Sequence, residues 1–150
     1  MNATALLKKQ HKDVRSLFEE VLEVEDPESR RQLCERIGQE LLVHTKIEEE
    51  IFYPAVRELG DKGEEMVLEA FEEHHVVDLV LAELPQVDPE DERFHAKMTV
   101  LQELVDHHAK EEEKEMFKLA QKLGKTELAE LGERMEARAE ELKGEERAAA

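Results

Sequence analysis

Apolar residues recur three and four positions apart along nearly the whole chain, a helical spacing rather than the alternation of strands. Gly and Pro are few and clustered, so the breaks between helices are easy to place. A first helix is expected from Asn2, as N-cap, to about Val24. Asp26 and Pro27 then supply an N-cap and a first helical residue for a second helix reaching about Leu59, bent at Pro54. Gly60 to Gly63 forms the next break, and a third helix runs to about Leu84. Asp88, Pro89 and Asp91 read as cap, first residue and capping-box acid of a fourth helix ending near Leu123. After Gly124, Thr126 is placed to cap a fifth helix to about residue 143, with residues 144–150 as a frayed tail.

Four long helices joined by short loops must lie as antiparallel neighbours, so the expected fold is all-α: an up-down-up-down four-helix bundle over residues 3–123, within a single domain. The fifth helix, over residues 126–143, carries a thinner stripe of Leu128, Leu131, Met135 and Leu142. It is expected to pack outside the bundle or against a partner.

Composition narrows the function. Of 150 residues 40% are charged, and 39 acids against 21 bases leave a formal charge of −18, which argues against nucleic acid or an anionic membrane surface as partner. No apolar run approaches the roughly 20 residues of a membrane span, and the N-terminus lacks the apolar core of a signal peptide. The lone Cys34 excludes an internal disulfide and suits a reducing cytoplasm. What stands out is seven histidines in a chain with no Trp and one Tyr.

On helical wheels, residues four apart lie about 40° apart and share a face. His11 then sides with Leu7, Phe18 and Leu22. His44 falls among Leu33, Ile37, Ile51 and Ala55, His74 among Val67, Ala70, Val77 and Leu81, and His108 among Leu101, Leu104, Val105 and Leu119. An acid follows one turn later on three of these stripes: Glu48, Asp78 and Glu112. One inward histidine is an ordinary core residue. A layer of four imidazoles with two or three carboxylates is not, because buried charge must be paired or neutralised. Bound cations satisfy such a set, since imidazole and carboxylate are ligands of iron, manganese and zinc. The ligands are too many for one tetrahedral zinc, and bundle cores hold metal pairs bridged by carboxylates. Glu48 and Glu112 are the natural bridges, His11, His44, His74 and His108 the terminal ligands, and Asp78 an additional candidate.

Alternatives remain. His75 adjoins His74, and His107 adjoins His108; the wheel favours His74 and His108. The separations His11 to His44 and His74 to His108, 33 and 34 residues, suggest one helical hairpin used twice. His107 with Glu111 would match the 33-residue spacing better, yet it puts Lys114 and Glu115 where the second helix has Ile51 and Phe52. His95 reads as a surface residue, and Tyr53, opposite His44 on an ideal helix, as packing. Glu72-x-x-His75 and Glu92-x-x-His95 spell the ferritin-like motif, but neither His44 nor His108 has a Glu three residues earlier.

The stretches Lys9-Gln10-His11-Lys12-Asp13, His44-Thr45-Lys46-Ile47-Glu48-Glu49-Glu50-Ile51-Phe52-Tyr53-Pro54, Glu73-His74-His75 and His107-His108-Ala109-Lys110-Glu111-Glu112 together resemble the hemerythrin-like, HHE-type cation-binding domains across the whole chain. The resemblance implies a non-haem centre of two iron ions, with the six positions above as ligands. Oxygen-carrying members have a second His one turn after the third-helix ligand and an Asp five residues after the fourth-helix His. Here Asp78 stands at the first position and Glu112 one residue early. A more anionic site favours the oxidised metal, which points away from reversible oxygen carriage. The expected function is binding of, or reaction with, O2, NO or peroxide in sensing, stress defence or iron handling. The alternative is a metal-stabilised interaction module with a non-reactive site, meeting a protein partner or a second copy through the fifth helix or the acidic face.

Overall fold

Local chemistry starts the helices where the side chains allow it. The side chain of Asn2 accepts from the Ala5 amide at 2.9 Å and opens α1 (Ala3–Glu23). Asp26 accepts from the Ser29 amide at 2.9 Å, Pro27 takes the first turn, and α2 (Pro27–Ile47) begins there. The computed structural model describes residues 1–149, and Ala150 lies outside them. The second rod does not simply bend at Pro54. A π-turn over Glu48–Phe52 joins α2 to the short α3 (Tyr53–Arg57), with Pro54 in the first turn of α3, where its missing N–H costs nothing.

Gly60, at a φ of 112° that other residues rarely adopt, turns the chain into α4 (Asp61–Glu83), which closes in a 3-10 turn over Leu84–Gln86. The next helix begins later than the Asp-Pro signal suggests. Asp88 accepts from the Glu90 amide and shapes a turn, whereas Asp91, accepting from the Arg93 amide at 2.9 Å, is the N-cap of α5 (Glu92–Glu111). A second π-turn, Glu112–Met116, leads into α6 (Phe117–Ala120) and a 3-10 turn over Gln121–Leu123. The final helix, α7 (Lys125–Ala149), starts directly after Gly124, leaving Thr126 inside its first turn rather than capping it. It also continues through residues expected to fray, since the Glu, Ala and Arg there are strong helix formers.

The rods α1, α2–α3, α4 and α5–α6 form an up-down-up-down four-helix bundle with an additional C-terminal helix. Two apolar cores fill it. One gathers Val14, Phe18, Ile37, Leu84, Phe94, Met98 and Leu101; the other gathers Leu7, Ile47, Phe52, Val56, Val67, Met116 and Phe117. Residues 11, 74 and 108 fall in their rods between the contributions to the two cores, and His44 lies three residues after Leu41 of the first core and three before Ile47 of the second, so antiparallel packing brings them to one level. The last helix belongs to the second core. Leu128, Leu131, Met135, Ala139 and Leu142 bury against Ala3, Leu6, Val43 and Ile47, each large side chain worth about 1.5–3 kcal/mol. Gly132 makes this close approach feasible, because a Cβ there would collide with the Met1 carbonyl and the Asn2 backbone. Arg138 adds a two-pronged pair to Glu50 at 2.7 and 3.2 Å.

Candidate metal centre

The level between the two cores is polar and buried. His11, His44, Glu48, His74, His108 and Glu112 are all buried, with Glu48 fully so. They divide into two overlapping groups. Ligand atoms of His11, His44, Glu48 and Glu112 lie within 4.8 Å of one another, as do those of Glu48, His74 and His108. The His11 and His44 rings meet edge to face at 4.8 Å, and the His74 and His108 rings do so at 4.9 Å. Both carboxylates span the division. Oε1 of Glu48 stands 3.3 Å from His44 Nε2 and 3.1 Å from His74 Nε2. Glu112 reaches His11 Nε2 through Oε1 and His108 Nε2 through Oε2, both at 3.3 Å.

Each ring is fixed from outside by its other nitrogen. Nδ1 of His11 pairs with Glu113 at 2.8 Å, and Nδ1 of His74 with Glu49 at 2.6 Å. Nδ1 of His44 pairs with Gln10 at 2.7 Å, and Nδ1 of His108 with Glu73 at 2.7 Å. These acceptors settle the tautomer, placing the proton on Nδ1 and turning the Nε2 lone pair inward, the usual support of a metal-bound imidazole. The pattern repeats across the hairpins. The residue after Glu48 or Glu112 holds the histidine of the third or first rod, and the residue before that histidine holds the one of the fourth or second.

Inside, His11 Nε2, His44 Nε2, both oxygens of Glu48 and Oε1 of Glu112 have no hydrogen-bond partner. Leaving five such atoms buried is costly, and their separations near 3.3 Å suit donors sharing an ion at bond lengths of about 2.1 Å. The donor set therefore fits a pair of borderline cations. The surrounding carboxylates favour protonation of His11, His74 and His108. Burial disfavours this, but Glu48 and Glu49 outweigh it and lift His74 to about 9. Glu112 with Glu113, and Glu112 with Glu73, likewise raise His11 and His108. Burial opposes ionisation of Glu48, yet the charge of His44 beside it holds its carboxyl well below the usual range.

A hemerythrin HHE cation-binding domain model matches residues 2–120. The chain belongs to that family. An HHE cation-binding domain-containing protein of Mycobacterium kansasii, described as a homolog of Rv2633c, has a crystal structure that superposes with a TM-score of 0.85 at 28% identity, covering 97% of this chain and 89% of that one. The uncharacterized protein Rv2633c of Mycobacterium tuberculosis is 31% identical over 147 residues, 96% of this chain and 89% of that one. A DNA nickase of Nostoc sp. is 26% identical over 117 residues, so 78% of this chain matches only 33% of that protein.

For this HHE domain the wheel places the inward positions well, and some expectations need correcting. His75, His95 and His107 are exposed, as the face rather than the spacing indicates, so neither Glu-x-x-His pair enters the core. Asp78 does not join the cluster. It is exposed and lines a groove with Cys34, Leu42 and Leu81 on the outer surface of α2 and α4. Tyr53, which the wheel assigns to packing, is in the site: its hydroxyl donates to Glu112 Oε2 at 2.6 Å and lies 3.3 Å from both His74 Nε2 and His108 Nε2. The cause is the π-turn. One extra residue in a turn rotates the rest of the rod by about 100°, and the Tyr53 N–H bonds the Glu48 carbonyl, stacking Tyr53 over Glu48. Phe117 holds the matching place after Glu112 and stacks on His11 with ring centroids 6.2 Å apart. Sequence reasoning also misses the outer acceptors Gln10, Glu49, Glu73 and Glu113, although the repeated hairpin signals them, since each adjoins a repeated ligand position.

Proposed function

We propose that the two groups hold a non-haem pair of iron ions, with His11 and His44 on one, His74 and His108 on the other, and Glu48 and Glu112 bridging them. The observation that carries this reading is the pair of buried carboxylates, each within 3.3 Å of a histidine from both groups. Imidazole with carboxylate suits iron, manganese and zinc alike, and iron is the ion that the family resemblance implies. When bound, such a pair supplies binding and one- or two-electron chemistry toward O2, NO or peroxide. The chain's own contribution is to fix four Nε2 atoms through outer hydrogen bonds, bury the layer between two apolar cores, and hold a proton on Tyr53. Burial and the charges of Glu112 and Glu48 push the Tyr53 hydroxyl well above its ordinary range.

A cavity of about 280 Å³ between α1 and α5, lined by His11, Phe18, Val105 and Ala109, offers room for a small ligand beside the first group. The roles we propose are sensing, stress defence or iron handling, in a reducing compartment such as the cytoplasm where Cys34 stays a thiol. Anaerobic loading with Fe2+, metal analysis, and visible absorption after exposure to air test the reading. Two ions per chain and a coloured oxidised form are expected; stoichiometry near zero, or a colourless loaded protein, rejects it. The second reading, an interaction module with a non-reactive metal pair, draws on Leu68, Val76 and Leu79, large apolar side chains left exposed on α4. Loaded protein that never consumes peroxide and never shifts its spectrum with NO would favour it.

A further inference from the structure

Matching the two hairpins through His44 and His108 sets Val43 against His107 and Ile47 against Glu111, and matching them through His11 and His74 sets Gln10 against Glu73. The first set is covered: Val43 and Ile47 are buried in the core that α7 completes. The second set is open and chemically different. The side chains of His107 and Glu111 are 65% and 46% exposed, with His107 Nε2 3.5 Å from Glu111 Oε1. One ligand atom from each of Glu73, His107 and Glu111 falls within 4.8 Å of the others. Ligands sharing one ion at bond lengths of about 2.1 Å stand roughly 3 Å apart, a gap that small rotations of exposed side chains close.

An independent feature lies directly inward. A narrow opening of about 30 Å³ is lined by Glu69, Glu73, Glu111 and Glu115 together with Met66, Ala70 and Met116, and His108 and Glu112 of the centre also border it. Glu112 is 3% exposed, with Oε2 on the His108 side at 3.3 Å from Nε2 and Oε1 turned to His11 of the other group. That volume admits one or two particles of water size, so a cation passing through must shed most of its hydration. Carboxylates along the walls replace the lost waters, and a formal charge of −18 concentrates cations at the surface.

We propose that Glu73, His107 and Glu111 form a third, exposed cation site, which takes a borderline divalent ion such as Fe2+ or Zn2+ and passes it through this opening to the buried centre. One imidazole and two carboxylates bind such ions, with water completing the shell. Glu73 links the two sites, because its Oε1 already holds Nδ1 of His108. The transfer step rests on the two-ion reading of the centre, whereas the outer site does not.

The test titrates metal-free protein with Zn2+ by calorimetry and follows filling of the centre with Co2+ by stopped-flow absorption, in wild type and in the double variant His107→Ala/Glu111→Gln. Circular dichroism confirms that the variant, altered only at exposed positions, keeps its helices. Wild type should bind three Zn2+ per chain and the variant two, with the weakest lost and the buried pair filling at least tenfold more slowly. Equal stoichiometry in both proteins overturns the outer site. Loss of the third ion with an unchanged filling rate overturns the transfer. Loss of one weak ion by the variant, with no tight pair in either protein, upholds the outer site and rejects the two-ion centre.

Discussion

The hydroxyl of Tyr53 donates to Oε2 of Glu112 at 2.6 Å, joining the second rod to the fourth through the middle of the polar layer. The matching position on the other hairpin is Phe117, which has no hydroxyl. A nearly two-fold arrangement of histidines and carboxylates thus carries a phenol on one side only.

Tyr53→Phe should make the two halves alike. A hydrogen bond to a charged acceptor contributes about 1.5–3 kcal/mol, so the metal-free variant should melt a few degrees lower while keeping its helices. Thermal melts check this, and an unchanged midpoint would show that the bond contributes nothing.

Glu48→Gln and Glu112→Gln test the bridges. Wild type should gain thermal stability on adding Fe2+ or Zn2+, by about 4 kcal/mol when the ion is a thousandfold above its Kd. Either variant should lose most of that gain, and an equal gain in wild type and both variants would remove the carboxylates from the centre.

Neighbouring histidines should behave oppositely. His74→Ala is expected to lower metal content sharply, whereas His75→Ala and His95→Ala, altering exposed rings, should leave it unchanged. Metal analysis of the purified variants decides, and loss on His75→Ala would contradict the observed face.

Acidity separates the metal-free and loaded forms. His74 is raised from 6.5 to about 9 in the metal-free fold, so its proton stabilises that fold fully below pH 6.5 and the contribution is lost as pH rises through 9. A cation needs the same nitrogen unprotonated, so metal affinity should rise over that range while metal-free stability falls. Melting temperatures with and without Zn2+ should therefore diverge from pH 6.5 to 9. A constant gap would mean that the imidazoles are not the ligands.

Gly132→Val should detach α7. Its side chain would enter the backbone of Met1 and Asn2, and overpacking of this kind costs about 1–3 kcal/mol. Faster proteolysis within Lys125–Ala149 is the expected result, and wild-type resistance would show that the helix yields elsewhere.

Helical spacing and breaks, with the caps at Asn2 and Asp26, are legible in the chain because they depend on neighbours three or four residues away. So are the inward histidines, since a wheel needs only a straight helix. Asp91 displaces Asp88 as cap because competing turn chemistry lies within three residues, and only the folded backbone chooses between them. Asp78 shares a wheel position with ligand residues but faces an outer groove, because a wheel gives an angle and not what lies opposite. Tyr53 is hidden for a related reason. Spacing along the sequence assumes 3.6 residues per turn, and the π-turn breaks that assumption at Glu48. By itself, then, the sequence determined which rods form and which histidines they send inward, because hydrophobic periodicity is a local property. Tertiary packing alone decided how those residues share carboxylates, which outer acceptors orient them and where the phenol points, because these depend on contacts between rods far apart in the chain.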